Sequence, residues 1–174
     1  MEKKKIIRFQ IFSVIFTWIL GTILHFLYEW SGDNKIIASF SAVNESTWEH
    51  LKLLFFPMLI STIIGFSYKG KVIPNYLCAK VLGIILAMSF VVIFFYTYVG
   101  IIGTNFAIVD IGSFFIAVGL GQYVAYQKMQ STSSCSNVIP IIILLVLCSC
   151  FLIFTFFPLH IALFEDPIIG SFGI

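Results

Sequence analysis

Charge is what this sequence most lacks. Of its 174 residues only 10% are Asp, Glu, Lys or Arg, whereas 60% are hydrophobic and the mean hydropathy is +1.05. A water-soluble domain of this length needs far more polar residues to cover its surface. The net charge of +2, spread over short segments, also excludes a nucleic-acid partner. The composition therefore predicts an integral membrane protein whose main partner is the lipid bilayer.

Recognisable catalytic motifs are missing as well. The sequence contains no H-E-x-x-H, no G-x-S-x-G and no glycine-rich phosphate loop. Cysteine is scarce, and Cys148 and Cys150 on one helix would point about 200° apart, which suits no single metal. We interpret the four cysteines as small apolar fillers. Whether the protein is an enzyme stays open at this point.

Long apolar runs are what the sequence does have. A stretch of about 20 apolar residues matches a hydrocarbon core about 30 Å thick. The runs predict a single all-α membrane domain over residues 1–174, a bundle of five transmembrane helices at about 9–29, 51–68, 75–100, 105–127 and 138–160. The boundary between the third and fourth helices rests on Gly100 and Gly103, and without a turn there the fourth helix would be inverted.

The distribution of lysine and arginine predicts the orientation. With five spans, eight of the ten basic residues fall on one side: Lys3, Lys4, Lys5, Arg8, Lys69, Lys71, Lys80 and Lys128. Basic residues near span ends favour the cytoplasm. We therefore expect a cytoplasmic N-terminus and an extracytoplasmic C-terminus.

This topology gathers the other ionisable side chains at the extracytoplasmic end. All three histidines and seven of the eight acids fall there, and the positive-inside rule does not drive acids outward. Asp110 lies within a span, where a carboxylate costs several kcal/mol unless it is paired, protonated or hydrated. We predict an outward-facing ligand pocket formed from His25, Glu29, Glu45, Glu49, His50, Asp110, His160 and Asp166.

Part of this group also fits a metal site. Imidazoles and carboxylates are ligands of Zn²⁺ and other divalent ions, which makes such a cofactor a candidate. The candidate metal ligands are His25, His50, Asp110 and His160. A structural explanation competes for Glu49, because Ser46 and Glu49 have the spacing of a helix capping box.

Small residues recur every four positions along the fourth helix. They are Ser113, Ala117, Gly121 and Ala125, a pattern that lets another helix approach closely. The approaching helix belongs either to this bundle or to another membrane subunit, including a second copy of the chain.

Two stretches resemble a known family. Residues 44–53 (NESTWEHLKL) form the more distinctive block, and residues 164–167 (FEDP), followed by Gly170 and Gly173, form the second. Both resemble an uncharacterised family of small multi-pass membrane proteins of Gram-positive bacteria. The resemblance implies a location in the bacterial plasma membrane and carries no activity with it.

Three functions remain open from the sequence. The first is binding or transport of a small polar ligand or cation through the outward-facing pocket. The second is a membrane-embedded, metal-dependent hydrolase that acts on lipid or envelope substrates. The third is a structural envelope protein whose polar groups cap helices. We rank binding or transport first because no catalytic signature is present.

Overall fold

Apolar helices make up nearly all of the protein. The computed structural model describes residues 3–68, 70–131 and 134–174. Within these ranges it has no named strand and six α-helices: α1 (Lys3–Trp30), α2 (Lys35–Ala38), α3 (Thr47–Tyr68), α4 (Tyr76–Ile102), α5 (Ala107–Met129) and α6 (Val138–Phe156). All except α2 are long and apolar enough to cross a membrane. The prediction of an all-α protein with five such helices is confirmed on that basis.

The helix ends differ from the predicted ones for identifiable reasons. Helix α1 already begins at Lys3, because lysine and arginine are good helix formers and extend the apolar run backwards. Helix α6 ends at Phe156 rather than at 160, because Pro158 disfavours helical conformation in the residue before it. The short α2 was not predicted; the side chain of Asn34 caps it by accepting the Ile36 N–H at 2.8 Å.

The turn between α4 and α5 is real. Gly103 ends α4 in the left-handed conformation (φ 87°), and its N–H donates to Val99 O at 2.7 Å. Glycine adopts this conformation without the steric cost that other residues meet. The chain therefore reverses, and α5 packs antiparallel to α4.

The small-residue stripe of α5 is buried within a single chain. A Cβ atom added to Gly83 of α4 would lie 2.4 Å from the backbone oxygen of Gly121. Backbones this close require small side chains at the contact. The stripe therefore serves the packing of α5 against α4 inside the bundle.

Helix α3 occupies the centre, and the C-terminal segment (residues 157–174) returns over its first turn. Phe55 and Met58 of α3 are fully buried in the main core. The backbone N–H of Trp48 donates to Leu163 O at 2.9 Å, and the Asn44 amide donates to Gly173 O at 3.0 Å. The two stretches that carried the family resemblance thus contact each other across more than 110 residues of sequence.

Two cysteines are paired. Cys78, in the first turn of α4, forms a disulfide with Cys135 in the connection before α6, with their Cα atoms 6.4 Å apart. Cys148 and Cys150 are free and half-buried on α6. The interpretation of all four as fillers was therefore wrong for the first pair, because their separation of 57 residues gives no sign of proximity.

Candidate functional site

A cleft of about 370 Å³ opens at the end of the bundle where α1 ends and α3 begins. We call this the cleft end, and the opposite end, where α1 starts with its lysines, the basic end. The cleft walls are mainly apolar and come from α1, α4, α5 and the C-terminal segment: Phe26, Val91, Phe95, Ile111, Phe114, Phe115 and Ile168. Five side chains that carry a nitrogen atom or a carboxylate also line it: His25, Glu45, His50, Asn105 and Asp110.

Two histidines and one glutamate converge in this cleft. His25 Nε2 lies 3.8 Å from one carboxylate oxygen of Glu45, and His50 Nε2 lies 3.4 Å from the other. The two imidazole ring centres are 5.3 Å apart. Each residue offers a ligand atom, and these atoms lie within 4.8 Å of one another. We call these three residues the His–Glu–His cluster.

The imidazole of His50 is oriented by its own helix. Its Nδ1 lies 2.9 Å from Ser46 O. A carbonyl oxygen only accepts hydrogen bonds, so Nδ1 carries a proton, and Nε2 is the ring nitrogen that faces the cleft and could ligate a metal. Histidines that ligate metals commonly donate their second nitrogen to a carbonyl in this way. His25 Nδ1, in contrast, is buried and has no hydrogen-bond partner in the part of the chain that the structure describes.

The backbone that presents Glu45 is fixed by neighbouring side chains. Asn44 Oδ1 accepts the Ser46 N–H at 3.0 Å, and Ser46 Oγ accepts the Glu49 N–H at 3.3 Å. Asp166 of the C-terminal segment accepts the Glu45 N–H at 3.0 Å. Hydrogen bonds to its own side chains and to the C-terminal segment therefore fix the backbone of the loop before α3. The side chain of Glu45 stays half-exposed in the cleft.

Asp110 lines the same cleft from the first turn of α5. Its carboxylate accepts hydrogen bonds from the hydroxyl of Tyr98 and from the Asn105 amide, the latter at 3.2 Å. Its position at a helix N-terminus favours a negative charge as well. The carboxylate within the predicted span is thus satisfied by neutral donors, and it faces the cleft.

Glu49 does not reach the cleft. Its side chain is 2% exposed and lies 2.5 Å from the ammonium of Lys52, which is itself fully buried. The Lys52 ammonium also donates to Ala38 O at 2.8 Å and to Thr155 Oγ1 at 2.9 Å. The Glu49 carboxylate accepts the Val43 N–H at 3.1 Å. This internal ion pair connects α3 to α2 and α6 and therefore has a structural role.

The remaining predicted pocket residues lie elsewhere. Glu29 is exposed at the end of α1, and His160 is exposed, with its ring 4.7 Å from that of Phe172. Asp166 accepts the N–H groups of Ile168 at 2.8 Å and Ile169 at 3.3 Å in addition to that of Glu45. Of the eight predicted pocket residues, four line the cleft: His25, Glu45, His50 and Asp110.

The sequence interpretation missed a polar group near the basic end. Lys80, which we counted among the residues that orient the chain, is completely buried between helices. Its ammonium donates to Gln10 Oε1 at 2.5 Å and to Gln122 Oε1 at 2.7 Å. The signal available in the sequence was two glutamines inside otherwise apolar runs, a pattern we did not weigh.

A comparison with known protein families shows which family the chain belongs to. A model described as a family of unknown function (DUF6512) matches residues 1–174. The chain belongs to DUF6512. No curated protein and no solved structure matches it. The function of this DUF6512 member must therefore be argued from its own cleft.

Proposed function

We propose that this DUF6512 protein binds a divalent transition-metal cation, Zn²⁺ in the first instance, in an outward-facing cleft of the bacterial plasma membrane, as a step in cation binding or transport. The basic residues at the start of α1 favour a cytoplasmic location for that end by the positive-inside rule, which supports this orientation. The cleft lies at the other end of α1, which in the proposed orientation faces outward. The observation that carries the proposal is the convergence of His25, Glu45 and His50.

The geometry of the His–Glu–His cluster suits zinc. With metal–ligand distances of about 2.0–2.2 Å, neighbouring ligand atoms of a tetrahedral site lie roughly 3.3 Å apart. The two Nε2-to-carboxylate separations, 3.4 and 3.8 Å, need little adjustment to reach that value. The Nδ1 contact of His50 with Ser46 O also supplies the outer-shell hydrogen bond expected of a metal-ligating histidine.

Zinc binding to the purified protein in detergent tests the proposal. We expect one Zn²⁺ per chain by isothermal titration calorimetry, and at least a tenfold loss of affinity in His25→Ala, Glu45→Gln and His50→Ala, because each removes one of three ligands. The matched control is His160→Ala, which removes the remaining histidine without touching the cleft and should bind zinc like the wild type. Equal affinity in all four variants, or no zinc binding to the wild type, would refute the proposal.

A hydrolase is the second candidate, favoured by the apolar walls beside the cluster. Two histidines and one glutamate are also a ligand set of catalytic zinc sites, in which a water molecule takes the fourth position. Phe26 and Ile111 line the cleft and are 40% and 57% exposed, so the cleft borders the region where lipid chains lie. A phosphate or ester headgroup at the metal, with its chain along these residues, would be the substrate.

The two candidates differ in one measurable outcome. A hydrolase converts bilayer phospholipids or isoprenoid phosphates only when zinc is bound, and Asp110→Asn lowers turnover without abolishing zinc binding. A binding or transport protein leaves such lipids intact. Mass spectrometry of lipids incubated with the zinc-loaded protein distinguishes the two.

A further inference from the structure

Lys80 is the most unusual charged group of the bundle. It is completely buried near the basic end, and besides its two glutamine contacts its ammonium lies 5.2 Å from the ring centre of Phe9. No carboxylate within residues 3–68, 70–131 or 134–174 forms an ion pair with it. A buried ammonium that meets only neutral dipoles is costly, and such groups in membrane spans commonly carry protons or line ion pathways.

The contrast with Lys52 shows why Lys80 is the group that can lose its proton. Lys52 forms an ion pair with Glu49, so removal of its proton would leave a carboxylate buried without a counter-charge. Removal of the Lys80 proton instead abolishes an unpaired buried charge. The neutral amine still fits between Gln10 and Gln122, because glutamine offers both donor and acceptor atoms. The Nε2 group of Gln122 is buried and has no partner in the described part of the chain.

A row of polar and small residues connects Lys80 with the cleft. Gln10, Ser13, Thr17 and Gly21 form the buried face of α1, with spacings of three and four residues. Gln10 contacts Lys80, and Gly21 lines the cleft. The hydroxyls of Ser13 and Thr17 are fully buried and have no hydrogen-bond partner among the described residues. Buried polar groups of this kind are typically satisfied by internal water, the medium of proton transfer.

On α1 and α5, the charged residues nearest in sequence to the contacts with Lys80 are positive. Lys5 and Arg8 lie on α1 within two turns of Gln10, and Lys128 lies on α5 less than two turns beyond Gln122. On its own helix the nearest ionisable residue is Tyr76, whose hydroxyl donates to Thr62 O at 3.1 Å. No acidic residue lies within two turns of Gln10, Lys80 or Gln122 on these three helices.

We propose that Lys80 is the proton-binding site of a cation–proton exchange. Zinc that binds in the cleft causes the Lys80 ammonium to transfer its proton, along Ser13 and Thr17, to water in the cleft, which leaves a neutral amine. When the zinc leaves the cleft towards the basic end, the ammonium re-forms by taking a proton from water at that end, so one proton moves out for each Zn²⁺ that moves in. This step rests on the proposed cation site.

The electrostatic interaction between a zinc ion in the cleft and the Lys80 ammonium is large enough to couple zinc binding to proton release. The rise along α1 from Gln10 to the cluster residue His25 is fifteen residues, or roughly 22 Å. A divalent charge at that distance from an ammonium, with an effective dielectric constant of about 20, lowers the proton-binding constant by about tenfold. A change of this size favours loss of the Lys80 proton when zinc is bound, and it does not require a large rearrangement of the helices.

Proton movement in liposomes tests the inference. Purified protein is reconstituted into liposomes that contain pyranine, and Zn²⁺ is added outside. In wild-type liposomes we expect the interior to become more alkaline. The initial rate should fall at least tenfold in Lys80→Met, which cannot hold a proton, and in Lys80→Arg, which does not release one. The control Lys71→Met removes an exposed lysine of the same end and should retain the wild-type rate.

Zinc calorimetry on the same variants separates the outcomes. Zinc affinity should stay within about threefold of the wild type in both Lys80 variants, because the cluster is untouched. If wild-type protein binds zinc but moves no protons, or if both Lys80 variants move protons at the wild-type rate, the exchange is refuted and the zinc site stands. If wild-type protein binds no zinc, the proposed function itself fails. Should neither Lys80 variant fold, Ser13→Ala combined with Thr17→Val decides, with a tenfold lower rate expected.

Discussion

The buried ion pair of Glu49 and Lys52 offers a sharp test of how this fold is held together. Both side chains are almost completely inaccessible, at 2% and 0% exposure, and their charged atoms are 2.5 Å apart. Removing one partner leaves the other charge buried and unpaired, which costs about 3–5 kcal/mol in proteins. We expect Glu49→Gln and Lys52→Met each to lower the free energy of unfolding by about that amount.

The double variant should cost much less than the sum. Without Lys52, a glutamine at position 49 is neutral and can still accept the Val43 N–H and bond to Thr155, so no uncompensated charge remains. We expect a coupling energy of at least about 2 kcal/mol in a double-mutant cycle. Unfolding is measured by titration with SDS in mixed micelles, with helicity as the signal.

This test has a matched control variant and an outcome that would contradict it. Lys35→Met removes an exposed lysine of α2 and should change stability by no more than about 0.5 kcal/mol. If Glu49→Gln and Lys52→Met are additive to within about 0.5 kcal/mol, the two groups do not act as a pair, and the reasoning fails.

Three further outcomes follow from the packing and the loop contacts. Gly21→Ala should lower the free energy of unfolding by about 1–3 kcal/mol, because its new Cβ would lie 2.5 Å from Leu53 O. Gly119→Ala meets no atom within 4 Å and should not lower this free energy; SDS titration compares the two variants. Asp166→Ala should weaken zinc binding about tenfold, because it removes the hydrogen bond that holds the backbone of Glu45. The control Glu165→Ala changes the exposed neighbouring residue and should leave the zinc affinity unchanged. Equal zinc affinities of the two variants by calorimetry would contradict this prediction. In SDS the unreduced protein should take up two maleimides and the reduced protein four, because the disulfide blocks two of the four cysteines; mass spectrometry counts the adducts.

The sequence predicted the helices well because membrane solvation acts locally. A run of apolar residues must be helical in lipid, so its length alone identifies a span. Gly100 and Gly103 left the fourth boundary open, and the left-handed Gly103 shows that the chain does turn there. The same turn brings Asp110 into the cleft end, where the topological reasoning placed it.

Which polar residues meet depends on tertiary packing, and the sequence could not specify it. His25 and His50 were grouped by bundle end alone, and His160 was grouped with them by the same argument. That grouping cannot distinguish a residue on α1 that faces the cleft from one in an irregular segment beyond the last helix. Lys80 was counted as an orienting charge at a span end and Lys52 was given no role, because lysine is rarely buried. Their side-chain partners lie 3 to 103 residues away in sequence.

The hydrogen bonds between the C-terminal segment and the start of α3 have a consequence for biogenesis. Asp166 and Gly173, which bind Glu45 and Asn44, follow all five long helices in sequence and are therefore synthesised after them. During translation these residues are still inside the ribosome while the earlier helices are already inserting. The loop that presents Glu45 therefore gains these contacts only after the five long helices have been made.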